Sequence, residues 1–397
     1  NMRSRSSNNF TTEDLRKIVA ICGEHGIKSY LTVNTVIYGE DLPLMREIID
    51  AAKDAGVSAI IAADVAAMSY ANSIGQEVHL STQLNISNVE ALKFYARFAD
   101  VVVLARELNL KQVHEIYQEI VKQQIKGPKG ELIRIEMFAH GALCMAVSGK
   151  CYLSLHEMNA SANRGACMQI CRRAYTVHDK DSQIELDVEN QYIMSPKDLK
   201  TIHFMNKMMD AGVRVFKLEG RARGPEYVRL VTECYKEAVK AYCEGTFDEE
   251  KIAVWDERLR RVFNRGFWDG YYLGQRLGEW SSKYGSGATR KKVYVARGIK
   301  YFSGIGVAEF EMESGSLRVG DEILVTGPTT GAVMQTVDEI RVDLKPVEET
   351  VKGERFSIKM SEKIRPSDRL DKMEKVQIEK ELRLSLVGSE MCIRDRW

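Results

Sequence analysis

The sequence has almost no net charge. Its 57 lysines and arginines nearly balance its 56 aspartates and glutamates, which leaves a formal charge of +1 over 397 residues. No field of one sign therefore draws the whole molecule to nucleic acid or to an anionic membrane, and any RNA contact must come from a local patch. The chain also shows no apolar run of membrane-spanning length and no signal-peptide pattern. These absences predict a cytoplasmic protein that does not contact a membrane.

Signatures of several common enzyme classes are missing as well. The chain has no GxGxxG after a predicted strand, no P-loop, no HExxH and no GxSxG. It therefore gives no indication of a dinucleotide-dependent enzyme, a P-loop nucleotide hydrolase, a zinc peptidase of the HExxH type or a serine hydrolase.

Cysteine, by contrast, is concentrated in one place. Four of the eight cysteines, Cys144, Cys151, Cys167 and Cys171, are separated by only six, fifteen and three residues. In a reducing cytoplasm such crowding predicts a thiolate metal centre and not disulfides. Zinc sites usually supply two tight cysteine pairs, whereas here only the last pair is tight, which favours a 4Fe-4S cluster over structural zinc. The alternative is four cysteines that bind nothing.

Residues 1–250 alternate short β-branched runs with amphipathic helical patterns, which predicts parallel strands. We expect an α/β fold, a (β/α)8 TIM-like barrel that lacks its first two strands in this sequence, because a closed barrel needs eight. The opening residues NMRSRSSNNFT support this expectation, since they resemble a βα loop entered halfway. The alternative is an open six-stranded sheet. The predicted strands span 29–36, 58–64, 77–82, 100–106, 133–140 and 214–220, and the predicted helices span 12–26, 42–55, 88–97, 109–124, 196–211 and 225–244.

The pattern changes in the last third of the chain. Short strands separated by glycine-bearing turns predict a small C-terminal β-barrel domain over 288–378. The segment 251–287 is predicted to be a linker that mixes arginines with aromatics; such a run can stack on unpaired RNA bases or plug the seam between two domains. Residues 379–397 form a tail, and 386–397 resembles a translated sequencing adaptor, so we exclude it from the fold.

Polar and charged residues stand at the ends of the predicted strands, where a (β/α) barrel carries its active site. Histidine there suits acid or base chemistry near neutral pH, and arginine suits a carboxylate or a phosphate. Glu136 and Lys217 can equally form an ion pair inside the barrel, and Glu219 with Arg221 can simply lock a turn. The strand-end candidates are His79, Gln83, Arg106, Glu107, Glu136, His140, Lys217, Glu219 and Arg221.

Arginines also flank the cysteines, at Arg164, Arg172 and Arg173. A cationic side chain stabilises a neighbouring thiolate, and it can also contact a phosphate backbone. A solvated basic surface is the simpler explanation for a charge run of this kind.

Several segments resemble the collagenase-like peptidase family of unassigned catalytic type, family thirty-two of the unknown class. The likeness runs through HGALCMAVSGKC, NRGACMQICRRAY and FKLEGRARGPEYV and covers most of residues 9–275. Despite the peptidase name, the family resembled includes iron–sulfur proteins that hydroxylate RNA or act in quinone synthesis. The sequence is most similar to the branch that hydroxylates the wobble uridine of tRNA with prephenate, because one barrel is followed by one short β domain.

The resemblance implies a tRNA-modifying hydroxylase that forms 5-hydroxyuridine, holds a 4Fe-4S cluster on the four clustered cysteines and uses the dicarboxylate prephenate as co-substrate. The alternatives are a collagenase-like peptidase and a non-catalytic RNA-binding scaffold with a structural cluster. We predict catalytic roles for Glu136, His140, Glu219 and Arg221, and substrate-binding roles for His79, Gln83, Arg106, Glu107, Arg164, Arg172 and Lys217.

Overall fold

Contacts in the computed structural model divide the chain into two compact units. The first runs to Ala288 and includes Thr326–Val333, and the second begins at Thr289. Most of the opening segment and the predicted tail at 379–397, with its adaptor-like end at 386–397, lie outside the described residues. The structure describes residues 10–178, 185–186, 194–221, 223–282 and 285–376.

The first unit contains the helices and the parallel strands. No helix in the described ranges is both long enough and apolar enough to span a lipid bilayer. The helices are α1 (Asp14–Glu24), α2 (Leu42–Asp54), α3 (Val65–Ser73), α4 (Val89–Ala96), α5 (Leu110–Lys122), α6 (Leu153–Met158), α7 (Met205–Asp210), α8 (Pro225–Cys243) and α9 (Glu249–Arg260). The strands are β1 (Tyr30–Val33), β2 (Ala59–Ala62), β3 (Val78–Leu80), β4 (Val101–Val103), β5 (Arg134–Gly141), β6 (Val177–His178), β7 (Glu185–Leu186), β8 (Asp198–Lys200), β9 (Val213–Leu218) and β10 (Phe267–Trp268).

The strand pairing confirms an α/β fold with a parallel sheet. Strands β1 to β5 lie side by side in chain order and are parallel, and β9 pairs in parallel with β5. Strand β8 pairs antiparallel with β5, and β10 pairs in parallel with β8. Within the described residues β1 pairs with β2 alone, so the pairings do not close the sheet. The TIM-like barrel therefore stays a prediction.

Strands β2 and β4 are wholly apolar, as expected where both faces of a parallel sheet are covered. Leu80 and Val102 are fully buried within the sheet. The helices bury an apolar stripe in the same core, through Ile49 of α2 and Ile120 of α5. The predicted strands and most predicted helices follow from these periodic patterns.

The predicted helix at 196–211 is wrong over its first half, which contains β8 and a 3-10 turn at Ile202–Phe204. Ion pairs with distant residues fix this stretch in place. The buried carboxylate of Asp198 contacts Arg265 at 3.3 Å, and Lys200 Nζ lies 2.7 Å from Asp256. These partners lie 56 and 67 residues away in the chain, so the local sequence pattern does not reveal them.

The segment predicted as a linker, 251–287, packs within the first unit. It begins inside α9, where Trp255 and Leu259 are buried. Further along, Trp268 and Tyr272 belong to the main hydrophobic core. The aromatic residues of this run therefore serve the core and, as shown below, one cavity.

Antiparallel strands make up the C-terminal region, which confirms the all-β prediction for it. The described residues of 289–376 contain no α-helix and form an eight-stranded sheet and a two-stranded sheet. Strand β11 pairs antiparallel with both β12 and β20. Closure into a barrel remains a prediction. The strands are β11 (Arg290–Phe302), β12 (Val307–Met312), β13 (Ser316–Arg318), β14 (Glu322–Gly327), β15 (Gly331–Thr336), β16 (Ile340–Val342), β17 (Lys345–Val347), β18 (Glu349–Val351), β19 (Arg355–Lys359) and β20 (Arg369–Lys375).

The turn from α7 to β9 supplies a test of the packing. Gly212 has a φ of +97°, and a Cβ there would lie 2.1 Å from Cγ of Tyr117. Gly212→Ala must therefore adopt a left-handed backbone and displace the tyrosine ring. We expect a loss of about 2–4 kcal/mol in unfolding free energy, measured by urea denaturation. Gly245→Ala is the matched control, because its φ is +69° but its Cβ would meet open space. Equal losses in the two variants would contradict this account.

Candidate functional site

A cavity opens at the carboxyl ends of the parallel strands, the edge at which α/β folds bind ligands. We call it the strand-end cavity; it encloses about 920 Å³ including its open mouth. Residues on or just after β1, β2, β3, β5 and β9 line it, together with the loop after β4 and the cysteine segment. They are Thr32, Asn34, Ile61, Ser81, Thr82, Gln83, Arg106, Phe138, Ala142, Cys144, Ser148, Cys167, Lys217, Glu219 and Arg221.

Positive charge predominates in the strand-end cavity. Arg106, Lys217 and Arg221 line it, against the single carboxylate of Glu219 among the described lining residues. Lys217 Nζ also lies 3.2 Å from Glu136 Oε1, which is the ion pair that the sequence left open. Arg106 donates to the Ala146 carbonyl at 3.3 Å, but its buried Nε has no hydrogen-bond partner in the described part of the chain. An unsatisfied donor among cations suits an anionic ligand such as a carboxylate.

Hydrogen bonds fix the opposite wall of this cavity. Asn34 Nδ2 donates to Ser81 Oγ at 3.1 Å, and Ser81 Oγ donates to Gln83 Oε1 at 3.1 Å. Asn85 Nδ2 donates to the Ser148 carbonyl at 2.8 Å, which ties the cysteine segment to the end of β3. Gln83, predicted from the sequence, is therefore held in one orientation at the cavity.

The four clustered cysteines line a second, neighbouring cavity, the cysteine cavity, of about 430 Å³. All four are free thiols. Burial raises the pKa of Cys151 and Cys171, and negative charge on the other clustered thiols would raise both further. Cys144 and Cys167 line the strand-end cavity too. The four cysteines that the sequence groups therefore line one cavity, and their role as metal ligands stays a prediction.

Structural zinc and a 4Fe-4S cluster require different arrangements of the four cysteine thiols. Among the described residues, no group of three or more His, Cys, Asp or Glu side chains converges closely enough to hold one metal ion. A structural zinc ion needs that convergence, since four ligands meet at a single atom. In a 4Fe-4S cluster each thiolate binds a different iron, so the sulfurs surround a volume instead of a point. Four thiols around one cavity supply the type of donor that such a cluster needs, and the cluster itself stays a prediction.

Arg172 connects the two ends of the cysteine segment. Its guanidinium donates to the carbonyl of Leu143, to Ser195 Oγ at 2.8 Å and to the Pro196 carbonyl at 2.7 Å. Leu143 directly precedes Cys144, and Arg172 directly follows Cys171. The side chain that we predicted to bind substrate therefore holds the thiols in place.

Arg164, also predicted to bind substrate, has protein partners as well. It forms an ion pair with Asp41, donates to the Val36 carbonyl at 3.3 Å and lies 4.1 Å from the centroid of the Tyr38 ring. These contacts attach the cysteine segment to the loop after β1.

His140 lies in an aromatic enclosure beneath the cavity. Its ring is 5.5 Å from that of Tyr235 and 5.7 Å from that of Phe267, and it is 2% exposed. Burial, together with the positive charges of Lys200 and Arg223, lowers the pKa of His140 to about 3. The imidazole is therefore neutral near pH 7. The His140 carbonyl accepts a hydrogen bond from the Glu219 backbone at 2.8 Å, so this residue positions Glu219.

His79 is the middle residue of β3, and its side chain contacts residues at the amino-terminal ends of the strands. Its Nε2 is 3.3 Å from Glu77, and its ring is 4.7 Å from that of Tyr30, the first residue of β1. Burial lowers its pKa. Neither His79 nor Glu136 is among the residues that line the three cavities described here.

A third cavity, the aromatic cavity, encloses about 720 Å³ and was not predicted. Its aromatic residues come from the segment 251–287, which we interpreted as a linker. The sequence shows that this segment is rich in aromatic residues, but it does not show that they line a cavity. Arg106 and Cys144 belong to its wall and to that of the strand-end cavity. Its lining is Arg106, Glu107, Leu143, Cys144, Met145, Ala146, Val147, Pro196, Leu199, Trp268, Gly270, Tyr271, Tyr272, Gly278 and Trp280.

Fold and site together define an α/β protein with a thiol-lined cavity beside a cationic strand-end cavity. The model of Peptidase family U32 matches residues 1–282, and the chain belongs to this family.

Some proteins similar to this chain are named as a collagenase and others as RNA-modifying proteins. The chain is 73% identical over 375 residues to a protein of Porphyromonas gingivalis (strain ATCC BAA-308 / W83) named "Collagenase", covering 94% of this chain and 91% of that protein. It is 33% identical over 294 residues to "tRNA hydroxylation protein P1" of Bacillus subtilis (strain 168), covering 70% and 66%. It is also 33% identical over 284 residues to "23S rRNA 5-hydroxycytidine C2501 synthase" of Escherichia coli (strain K12), covering 70% and 41%.

The bonds of Arg172 generate one prediction. Arg172→Lys cannot reproduce a fork that reaches three acceptors, so we expect the metal-free protein to lose about 1.5–3 kcal/mol of stability. Arg173→Lys is the matched control, because the Arg173 guanidinium is exposed and donates to the sulfur of Met158 at 3.7 Å. Thermal unfolding of both variants measures the difference, and an Arg172→Lys protein as stable as the control would refute the anchoring role.

His140 generates a second prediction. Between its ordinary pKa of 6.5 and its folded value of about 3, the unfolded chain takes up a proton that the folded chain excludes. Stability is therefore lost as the pH falls through this window, by at most about 1.4 kcal/mol per pH unit from this one group. His140→Gln should flatten the decline of unfolding free energy between pH 6.5 and pH 4.5, roughly by that slope. His156→Gln, at an exposed histidine, should decline as the unmodified protein does.

Proposed function

We propose that this protein hydroxylates a uridine of tRNA to 5-hydroxyuridine, with a 4Fe-4S cluster held by the clustered cysteines and a dicarboxylate, prephenate, as co-substrate. The observation that carries the proposal is the position of Cys144, which lines all three cavities. Hydroxylation replaces a C–H bond of the base with C–OH; with water as the oxygen source it releases two protons and two electrons, so it requires an external acceptor for the electrons. Such a reaction requires the base, the co-substrate and a redox centre side by side.

The cluster would be held across the wall between cavities. Cys144 and Cys167 would bind it on the side of the strand-end cavity, and Cys151 and Cys171 on the far side. When bound, a cluster of this type supplies one-electron redox chemistry. Leu143, Leu153 and Ile170 line the same cavity and place apolar surface beside the sulfurs.

The strand-end cavity suits the dicarboxylate. Arg106 and Lys217 come from two different strand ends, and their charges can engage one carboxylate each. Glu219 is held by two backbone contacts: its Oε1 accepts from the Arg221 N–H at 3.0 Å, and its own N–H donates to His140. A carboxylate fixed in this way can accept one of the protons that hydroxylation releases.

Peptide hydrolysis is the second candidate, because a relative of 73% identity is named "Collagenase". The geometry supports it less well. No histidine is among the described residues that line the three cavities, so a nucleophile–histidine pair is not assembled there. A hydrolytic site would have to use Glu219 and a bound metal.

Complementation of cells that lack the gene tests the proposal. The unmodified gene and Cys243→Ser should restore 5-hydroxyuridine in tRNA, because Cys243 is an exposed cysteine at the end of α8. Cys167→Ser should leave it at background, since it removes one of four ligands. Mass spectrometry of tRNA nucleosides measures the product. No product with the unmodified gene would refute hydroxylation.

Anaerobic purification provides the second half of this test. We expect about four iron and four sulfide per chain in the unmodified protein and a clear loss of both in Cys167→Ser. Stoichiometric zinc without iron would contradict the proposal. Gelatin digestion that is equal in the unmodified protein and in Cys167→Ser would favour the peptidase.

A further inference from the structure

The aromatic cavity differs in chemistry from the strand-end cavity beside it. Trp268, Tyr271, Tyr272 and Trp280 line it, and its charged lining residues are Arg106, shared with the other cavity, and Glu107. A cavity of rings suits a flat apolar ligand, whereas the neighbouring cations suit an anion. Two ligands of different kinds can therefore lie on either side of Cys144.

Three of these rings converge on one point. A Cβ built on Gly278 would lie 3.7 Å from Cη2 of Trp268, 3.7 Å from the hydroxyl of Tyr271 and 3.8 Å from Cζ2 of Trp280. The Trp268 and Tyr271 rings are 5.0 Å apart and inclined at 79°. A flat ring that stacks on one of them meets the edge of the other, an arrangement that aromatic groups favour.

Two polar groups at the aromatic cavity indicate which hydrogen-bonding groups a flat ligand needs. Trp268 is 5% exposed, and its buried Nε1 has no hydrogen-bond partner among the described residues. It can donate to a carbonyl of the ligand, and leaving it unpaired is costly. Glu107, which is exposed, presents a carboxylate that can accept a hydrogen bond. Uracil has an N–H directly beside a carbonyl, so neighbouring atoms can donate to Glu107 and accept from Trp268. In cytosine the amino donor and the carbonyl are separated by an acceptor nitrogen.

We propose that the aromatic cavity receives the uracil base of the RNA substrate, unstacked from its neighbours, and that Glu107 selects uracil over cytosine. This inference rests on the proposed function, because it places the base on one side of Cys144 and the dicarboxylate on the other. Enzymes that act on a base remove it from the stack and hold it between aromatic side chains.

A variant that fills the cavity tests the location of the base. Gly278 has an ordinary φ, so Gly278→Leu places its side chain among the three rings without backbone strain. Gly23→Leu is the matched control, since a Cβ there meets open space. The probe is a synthetic anticodon stem-loop RNA with uridine at the wobble position, followed by fluorescence anisotropy. We expect Gly278→Leu to weaken binding about tenfold or more and Gly23→Leu to leave it unchanged, with equal iron content in both.

Glu107→Gln tests whether Glu107 selects uracil over cytosine. Because Glu107 is exposed, we expect this substitution to leave the fold intact. The unmodified protein should prefer the uridine stem-loop to the cytidine stem-loop by about tenfold, and Glu107→Gln should bring the two affinities close together. Unchanged RNA affinity in Gly278→Leu, with 5-hydroxyuridine still formed, would overturn the base site while hydroxylation stands. Loss of binding in Gly278→Leu, when even the unmodified protein forms no 5-hydroxyuridine, would support the base site and refute the proposed function.

Discussion

The backbones of β5 and β9 approach so closely at their carboxyl ends that position 141 has room for glycine alone. A Cβ on Gly141 would lie 2.6 Å from the carbonyl oxygen of Glu219, and its φ is +108°. One residue earlier, the His140 carbonyl accepts the Glu219 N–H. This contact sets Glu219 beside the strand that leads directly to Cys144, and the three cavities form around that junction. The His140 side chain is buried against the rings of Tyr235 and Phe267, and this burial lowers its pKa.

The cavities that meet at Cys144 differ in the chemistry of their walls. The strand-end cavity takes its cations from the ends of strands, where side chains of parallel neighbours point to one edge. The aromatic cavity takes its rings from a segment that returns to the sheet after α9. The cysteine cavity is formed by one stretch of chain whose two ends Arg172 connects and whose middle Arg164 ties to the loop after β1. Because the strand-end cavity and the aromatic cavity share the wall that contains Arg106 and Cys144, groups of different chemistry can lie close together in separate cavities.

Several charged residues stabilise this arrangement instead of facing a ligand. Asp198 and Lys200 are buried and paired with arginine and aspartate from distant segments, as buried charges require. Lys217 has a structural contact and a position at a cavity: it forms an ion pair with Glu136 and also lines the strand-end cavity. Charge at a strand end is therefore a weak guide to function until its partners are known.

The sequence by itself determined the parallel strands, the all-β C-terminal region, the family and the grouping of four cysteines, because each depends on local periodicity or on short spacing. It also placed Gln83, Arg106, Lys217, Glu219 and Arg221 at one edge of a sheet. Only the tertiary structure decided that Arg172 binds Leu143 and Ser195, that the His79 side chain contacts Glu77 and Tyr30, and that the aromatic run lines a cavity. Those facts depend on partners far apart in the chain, and side-chain partners of that kind are fixed by packing, which local pattern does not record.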